Sequence, residues 1–258
     1  MNKKSLFFPL IAVCLAVLLP LLGCGGDKYN DTLDKVISEG VLRIGTDATY
    51  PPFETKDIHT GKLVGFDIDL ISSICDEIGV KPKFIVTPFD GIIPGLLEHK
   101  YEVIISAMTI TGEREKVVAF SDPYYYASQV IAVRTDRRDI KGVDDLKGAK
   151  IGVQLGTTGE IVAKRIPDAE VISFDNIGAA FLDLENSHID AVINDEPTTK
   201  RIIALKGGAK IVGKPLTSER YGIAVCPTDK RLLLRINSVL SMMRISGKLR
   251  ELQDKWFR

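Results

Sequence analysis

Arg114 lies in TITGEREKVVAFSDPYYY (109–126), behind two threonines and ahead of three tyrosines, in the first turn of a helix expected over TGEREKVVAF. Helix starts favour acids because the macrodipole makes that end positive. A cation there points to an anion that it can serve. The planar donor fork of arginine suits a carboxylate, although a surface pair with Glu113 or Glu115 is the plainer alternative. QLGTTGE (154–160) ends a strand and opens a helix. Its free backbone N–H groups and the hydroxyls of Thr157 and Thr158 can hold a small anion, or simply cap the helix. It lacks the G-K-[ST] ending of a phosphate loop, so a small carboxylate fits better than a nucleotide. NDEP (194–197) sets Asp195 at a strand end, where its carboxylate can take an ammonium group or cap the next helix. Asp47 in GTDATY is a turn-former or a cation partner. Tyr50 and Phe89 fall on two separate strand-end loops, where aromatic faces either sandwich a ligand stem or pack ordinarily. Taken together, an anion clamp, a cation acceptor and an aromatic slot suit an α-amino acid zwitterion.

The elements that must position these residues alternate. VLRIGT (41–46) reads as a strand, and GFDIDLISSICDEIG as a helix with Asp67 as its N-cap. Strand KFIVT is followed by helix FDGIIPGLLEHK, with Asp90 as a cap and Pro94 early in it. YEVIISAM is a further strand. The extended ASQVIAVRT (127–135) leads into a second alternating block: DDLKG, KIGVQLG, TTGEIVAKRI, AEVISFD, NIGAAFLDLENSHI, DAVIND and EPTTKRIIALKGG. YGIAVC and one long helical run over 230–257 close the chain. Such alternation implies an α/β architecture with mostly parallel sheets. In open α/β sheets ligands sit outside the carboxyl ends of the strands, and the polar and aromatic candidates cluster there.

Composition narrows the function. The formal net charge is +0, which argues against nucleic acid, since that partner demands a basic face. His59, His99 and His188 lie far apart and no C-x-x-C occurs, so no metal site is expected. No cofactor motif is present either. Cys75 and Cys226 sit among apolar residues and read as buried free thiols, with a disulfide between them as the alternative. Residues 1–23 have the layout of a secretory signal: Lys3 and Lys4, an apolar run, then small residues before Cys24. At about 18 residues that run is at the short limit for a membrane span.

The leader's ending, LLGC, resembles a bacterial lipobox, which implies lipidation at Cys24 with 24–32 as a tether. The remainder resembles the polar amino-acid-binding proteins of bacterial ABC importers, the solute-binding proteins of family 3. The matching stretches are GVLRIGTDATYPPFE, GKLVGFDIDL, FDGIIPGL, ISAMTITGEREKVVAFSDPYY, IGVQLGTTGE and INDEP, in order from about Leu33 to Arg258. The resemblance implies a two-lobe clamshell with two hinge crossings: lobe one from 33–125 and 222–258, lobe two from 129–218. It implies that Arg114 binds the ligand carboxylate with Thr109 and the backbone beside Thr158, while Asp195 holds the α-ammonium with help from Ser106–Thr109. Tyr50 and Phe89 would enclose the side chain, and Asp47 would face its far end. Ala107 stands where some relatives have a second serine, and Gln154 where relatives differ with ligand. The cysteine that pairs locally with the equivalent of Cys75 in some relatives is missing from GVKPKF.

Asp47 between two aromatic walls favours arginine or lysine, because a buried carboxylate prefers a charged partner; glutamine is the runner-up. The expected partners are a small amino acid, an importer permease and, through the lipid, the outer face of the cell membrane, with the chain acting as a monomer. The competing enzyme reading is a periplasmic cyclohexadienyl dehydratase, whose chemistry needs a proton-donating carboxylic acid in the cleft; Glu196 and Glu160 are the candidates. A sensor domain is the weakest reading, because DKWFR ends the chain without a membrane span.

Overall fold

The computed structural model describes residues 31–258; the leader and Cys24 lie outside the described residues. Two five-stranded sheets form the frame. The first runs Lys81–Val86, Val41–Thr46, Val103–Ile104, Ala224–Val225, Ala119–Phe120 in spatial order. The second runs Glu170–Phe174, Lys150–Gln154, Ala191–Asp195, Gln129–Arg134, Ala209–Val212. Within each sheet the first three strands pair in parallel and the last two pairings are antiparallel. Two successive reversals restore direction, so four of the five strands in each sheet point the same way.

The reversed strands are Gln129–Arg134 and Ala224–Val225, each the first strand of its sheet after the chain arrives from the other sheet. The two passes run side by side as an antiparallel ribbon, Tyr125–Ala127 against Glu219–Tyr221. A single reversed strand per sheet is thus the signature of the crossing. Leu42, Ile44, Leu70, Ile71 and Ile74 fill the core on one side, and Ile131, Val133, Ile151, Val153 and Ile193 on the other. Gly45 and Gly95 flank the Tyr101 ring: a Cβ would fall 2.5 Å from that side chain at the first and 2.2 Å at the second. Tyr101 then donates its hydroxyl to Ile92 O at 2.6 Å, pinning the helix Phe89–Leu97 over the strand that leads to Asp47.

Several local expectations are corrected. TGEREKVVAF is not a helix: a single 3-10 turn, Arg114–Lys116, gives way to the strand Ala119–Phe120. Val117 and Val118 are β-branched and lose rotamer freedom in a helix, and pairing with Ala224–Val225 decides the matter. Asp67 does not cap its helix. The chain enters Phe66–Ile78 through Gly65 at φ 145°, where a Cβ would lie 2.0 Å from Phe53 O. Asp90 is likewise inside the first turn of its helix, behind Pro88, and Pro94 is interior rather than early. YEVIISAM shrinks to Val103–Ile104, because the chain then bends to serve the cavity and Ala107 takes a left-handed φ of 44°. The long C-terminal run breaks at Gly247 (φ 83°) into Lys230–Ser246 and Lys248–Phe257. A small sheet of Thr49–Tyr50, Glu54–Lys56 and Leu63–Val64 had no counterpart in the sequence reading. Cys75 and Cys226 are free and buried.

Candidate functional site

The carboxyl ends of strands from both sheets converge on one cavity. Asp47, Tyr50, Phe89, Ser106, Ala107, Thr109 and Arg114 line it from the side of the first sheet. Gln154, Thr157, Thr158 and Asp195 line it from the second. The residues expected to bind the ligand are therefore brought together, and Glu54 joins them.

At one end the Arg114 guanidinium is aimed by carbonyls. Nη1 donates to Thr109 O at 2.8 Å and Nη2 to Gly156 O at 3.1 Å, while the group lies 5.2 Å from the Phe89 ring centroid. Burial lowers the pKa of this arginine, and Glu219 and then Asp195 oppose that shift. Thr157 caps the helix Thr158–Ala163: its hydroxyl accepts from Glu160 N at 3.3 Å and donates to Gln154 O at 2.7 Å. Thr158 instead donates to Glu219 at 2.8 Å and accepts from Gln129 Nε2 at 3.1 Å. Gly156 needs its freedom. Its φ is +76° and an added Cβ would sit 3.3 Å from Asp90 Cα across the cleft.

Asp195 is buried at the end of Ala191–Asp195. It accepts from Gln129 Nε2 at 2.8 Å and from the Tyr50 hydroxyl, which also reaches Asn194 Oδ1 at 2.7 Å. Burial, followed by the charge of Glu219, pushes its pKa up to about 7. Asp47, also buried, accepts from the Thr49 hydroxyl and from Gln154 Nε2 at 2.6 Å, so this contact too spans the two sheets. Burial raises its pKa.

Sequence reasoning missed a second layer of acids. Glu54 accepts the Ser106 hydroxyl at 2.5 Å, and that same oxygen receives Asp47 N at 3.1 Å. Asp67 accepts from Ala107 N at 2.7 Å and Tyr124 Oη at 2.8 Å, which secures the left-handed turn at Ala107. The remaining oxygens, Glu54 Oε2 and Asp67 Oδ1, are buried with no other partner. Burial and the neighbouring carboxylate push Glu54 well up; burial pushes Asp67 up to about 7. PPFE displayed Glu54 in the sequence, yet nothing in its spacing marked it, and Asp67 looked like a cap. Glu219 and Gln129 lie on or beside the crossing ribbon, where no motif announces them.

Acidic side chains thus outnumber basic ones at the cavity and its immediate support: Asp47, Glu54, Asp67, Asp195 and Glu219 stand against Arg114. Among the described residues no group of His, Cys, Asp or Glu side chains is arranged to hold a metal ion. Glu160 and Glu196 do not line the cavity. Glu160 accepts from Gly156 N at 2.7 Å and pairs with Lys164 at 2.8 Å, and Glu196 pairs with Lys200 at 2.7 Å.

Residues 42–258 match the model for bacterial extracellular solute-binding proteins, family 3. The chain belongs to that family. ABC transporter arginine-binding protein 1 of Escherichia coli (strain K12) is 35% identical over 222 residues, covering 84% of this chain and 90% of that protein. A solved structure of the P235GK mutant of ArgBP from T. maritima matches with a TM-score of 0.84 and 46% identity, covering 87% of this chain and 98% of the other. An ancestral amino acid-binding protein, AncCDT-1, described as a precursor of cyclohexadienyl dehydratase, matches with a TM-score of 0.84 at 41% identity, over 88% of this chain and 100% of that one. This family 3 protein is a solute-binding protein and not an enzyme. None of its described helices is long and apolar enough to cross a membrane.

Proposed function

We propose that this protein captures an L-amino acid with a cationic side chain outside the cytoplasm and hands it to the permease of an ABC importer. The observation that carries the reading is the imbalance of ionisable groups: Asp47, Glu54 and Asp195 line the cavity, Asp67 and Glu219 bond to residues that line it, and one arginine opposes them. A zwitterion with a cationic tail adds two positive charges and one negative. Its carboxylate goes to Arg114, its ammonium to Asp195, and its tail runs between Tyr50 and Phe89 to Asp47. Asp47 has only a hydroxyl and an amide as side-chain donors, so a guanidinium or ammonium relieves the cost of burying its charge. Arginine ranks ahead of lysine, because a planar fork matches a carboxylate in two bonds; glutamine, which offers only an amide, is the runner-up. The arginine-binding relatives support the choice of arginine.

In this reading 33–125 with 222–258 form one lobe and 129–218 the other, and the ribbon bends between them as the ligand bridges both walls. The protein works as a monomer held to the membrane by lipid on Cys24; palmitate labelling that survives Cys24→Ser contradicts that anchor. Calorimetry of the ligand-stripped protein against the common amino acids tests the substrate. Tight arginine binding is expected, and tight glutamine binding with no arginine response rejects the assignment. Phenylpyruvate formation from prephenate or arogenate would instead point to the dehydratase reading.

A further inference from the structure

Glu219 occupies the crossing ribbon and is only 5% exposed. Its Oε1 accepts the Thr217 hydroxyl at 3.0 Å. Its Oε2 accepts two more hydroxyls, Thr109 at 2.6 Å and Thr158 at 2.8 Å. Thr109 belongs to the wall that carries Arg114, whereas Thr158 opens a helix on the opposite wall. One carboxylate oxygen on the ribbon therefore holds a hydroxyl from each side of the cleft. The chain of bonds continues. Thr158 Oγ1 accepts from Gln129 Nε2, which also donates to Asp195 Oδ1 at 2.8 Å.

We propose that Glu219 is a positioning residue that latches the closed cleft and commits both threonine hydroxyls to itself, leaving Arg114 and backbone N–H groups as the donors for the ligand's carboxylate. A hydroxyl has one proton to give. With Glu219 taking it, Thr109 and Thr158 can face the cavity only as acceptors. The same carboxylate also sets the charge at this end of the cavity, opposite Arg114 and beside Asp195. A hinge-strand acid thereby couples the bend of the ribbon to the two groups that grip the ligand.

For its kinetic part the inference rests on the amino-acid reading, so L-arginine is the probe. Bonds to a charged group that form only on closure act on escape rather than encounter. Glu219→Gln is expected to raise the dissociation rate about tenfold or more, with the association rate within about threefold of the parent. Thr158→Val removes the same cross-cleft bond from the other side and should act in the same direction. The double variant should dissociate no faster than the worse single variant. Unchanged dissociation in Glu219→Gln, or independent multiplication of the two effects, overturns the latch.

A purely structural role is separated by pH. Asp195 is faced by Glu219, Tyr50, Tyr221, Arg114 and Gln129. Removing the Glu219 charge should shift the pH at which arginine affinity begins to fall to a lower value, and an unmoved profile contradicts the assignment. Small-angle scattering of the ligand-free proteins judges the latch even if arginine does not bind. Glu219→Gln should be more open than the parent, and identical radii of gyration would overturn the proposal without touching the choice of substrate.

Discussion

Lowering the pH from 8 to 5 should weaken amino-acid binding through Asp195. The ligand's ammonium needs this carboxylate ionised, yet burial and then Glu219 push its pKa up to about 7 in the ligand-free protein. At pH 5, two units lower, only about one molecule in a hundred carries the charge, at about 1.4 kcal/mol per unit. Binding an ammonium beside the carboxylate lowers its pKa, so association releases a proton below pH 7. Affinity should then fall by up to about 100-fold, or about 2.7 kcal/mol, between pH 8 and pH 5. Asp47, raised in the same direction by its burial, adds to the fall for a cationic tail. Calorimetry at several pH values, in pairs of buffers with different ionisation enthalpies, gives both the affinity and the protons released. An affinity that stays level from pH 8 to pH 5 with no proton release would refute the role given to Asp195.

Other outcomes follow from the same geometry. Asp47→Asn should cost arginine affinity by about tenfold to several hundredfold, the worth of a buried charged bond, while glutamine binding changes little; equal losses for the two ligands contradict the tail assignment. Gly156→Ala forces a side chain into the left-handed region at a cost of about 1–2 kcal/mol and pushes a methyl toward Asp90. Its melting temperature should drop, and scattering should show a more open ligand-free protein. Asp67 and Asp195, both raised to about 7, and Glu54, raised by burial and the neighbouring carboxylate, hold protons when folded that the unfolded chain has lost. Their contribution is complete below the unfolded pKa near 4 and is lost as pH rises through about 7. Ligand-free protein should therefore melt at a lower temperature at pH 8 than at pH 6, and Glu54→Gln should flatten that slope.

The cavity was more legible in the sequence than the elements around it. Strand-end loops must present polar groups outside the carboxyl ends of a parallel sheet, so Asp47, Ser106, Gln154 and Asp195 were visible as a set before their contacts were known. The strands VLRIGT and DAVIND were equally plain, because their apolar runs are bounded by turn residues. What escaped was decided by partners far along the chain. Ala119–Phe120 looks helical until Ala224–Val225 arrives to pair with it. Asp67 looks like a cap until Ala107, 40 residues on, claims its carboxylate. Glu219 makes its cavity-side bonds to residues 61 and 110 positions away, and no local spacing encodes that.

A crystal structure of the protein with L-arginine tests the central claim most directly. The account predicts the carboxylate on Arg114, the α-ammonium on Asp195 and the guanidinium at Asp47, with the cleft shut over all three. A ligand bound in the reverse direction, or one whose carboxylate leaves Arg114 without a bond, would contradict it.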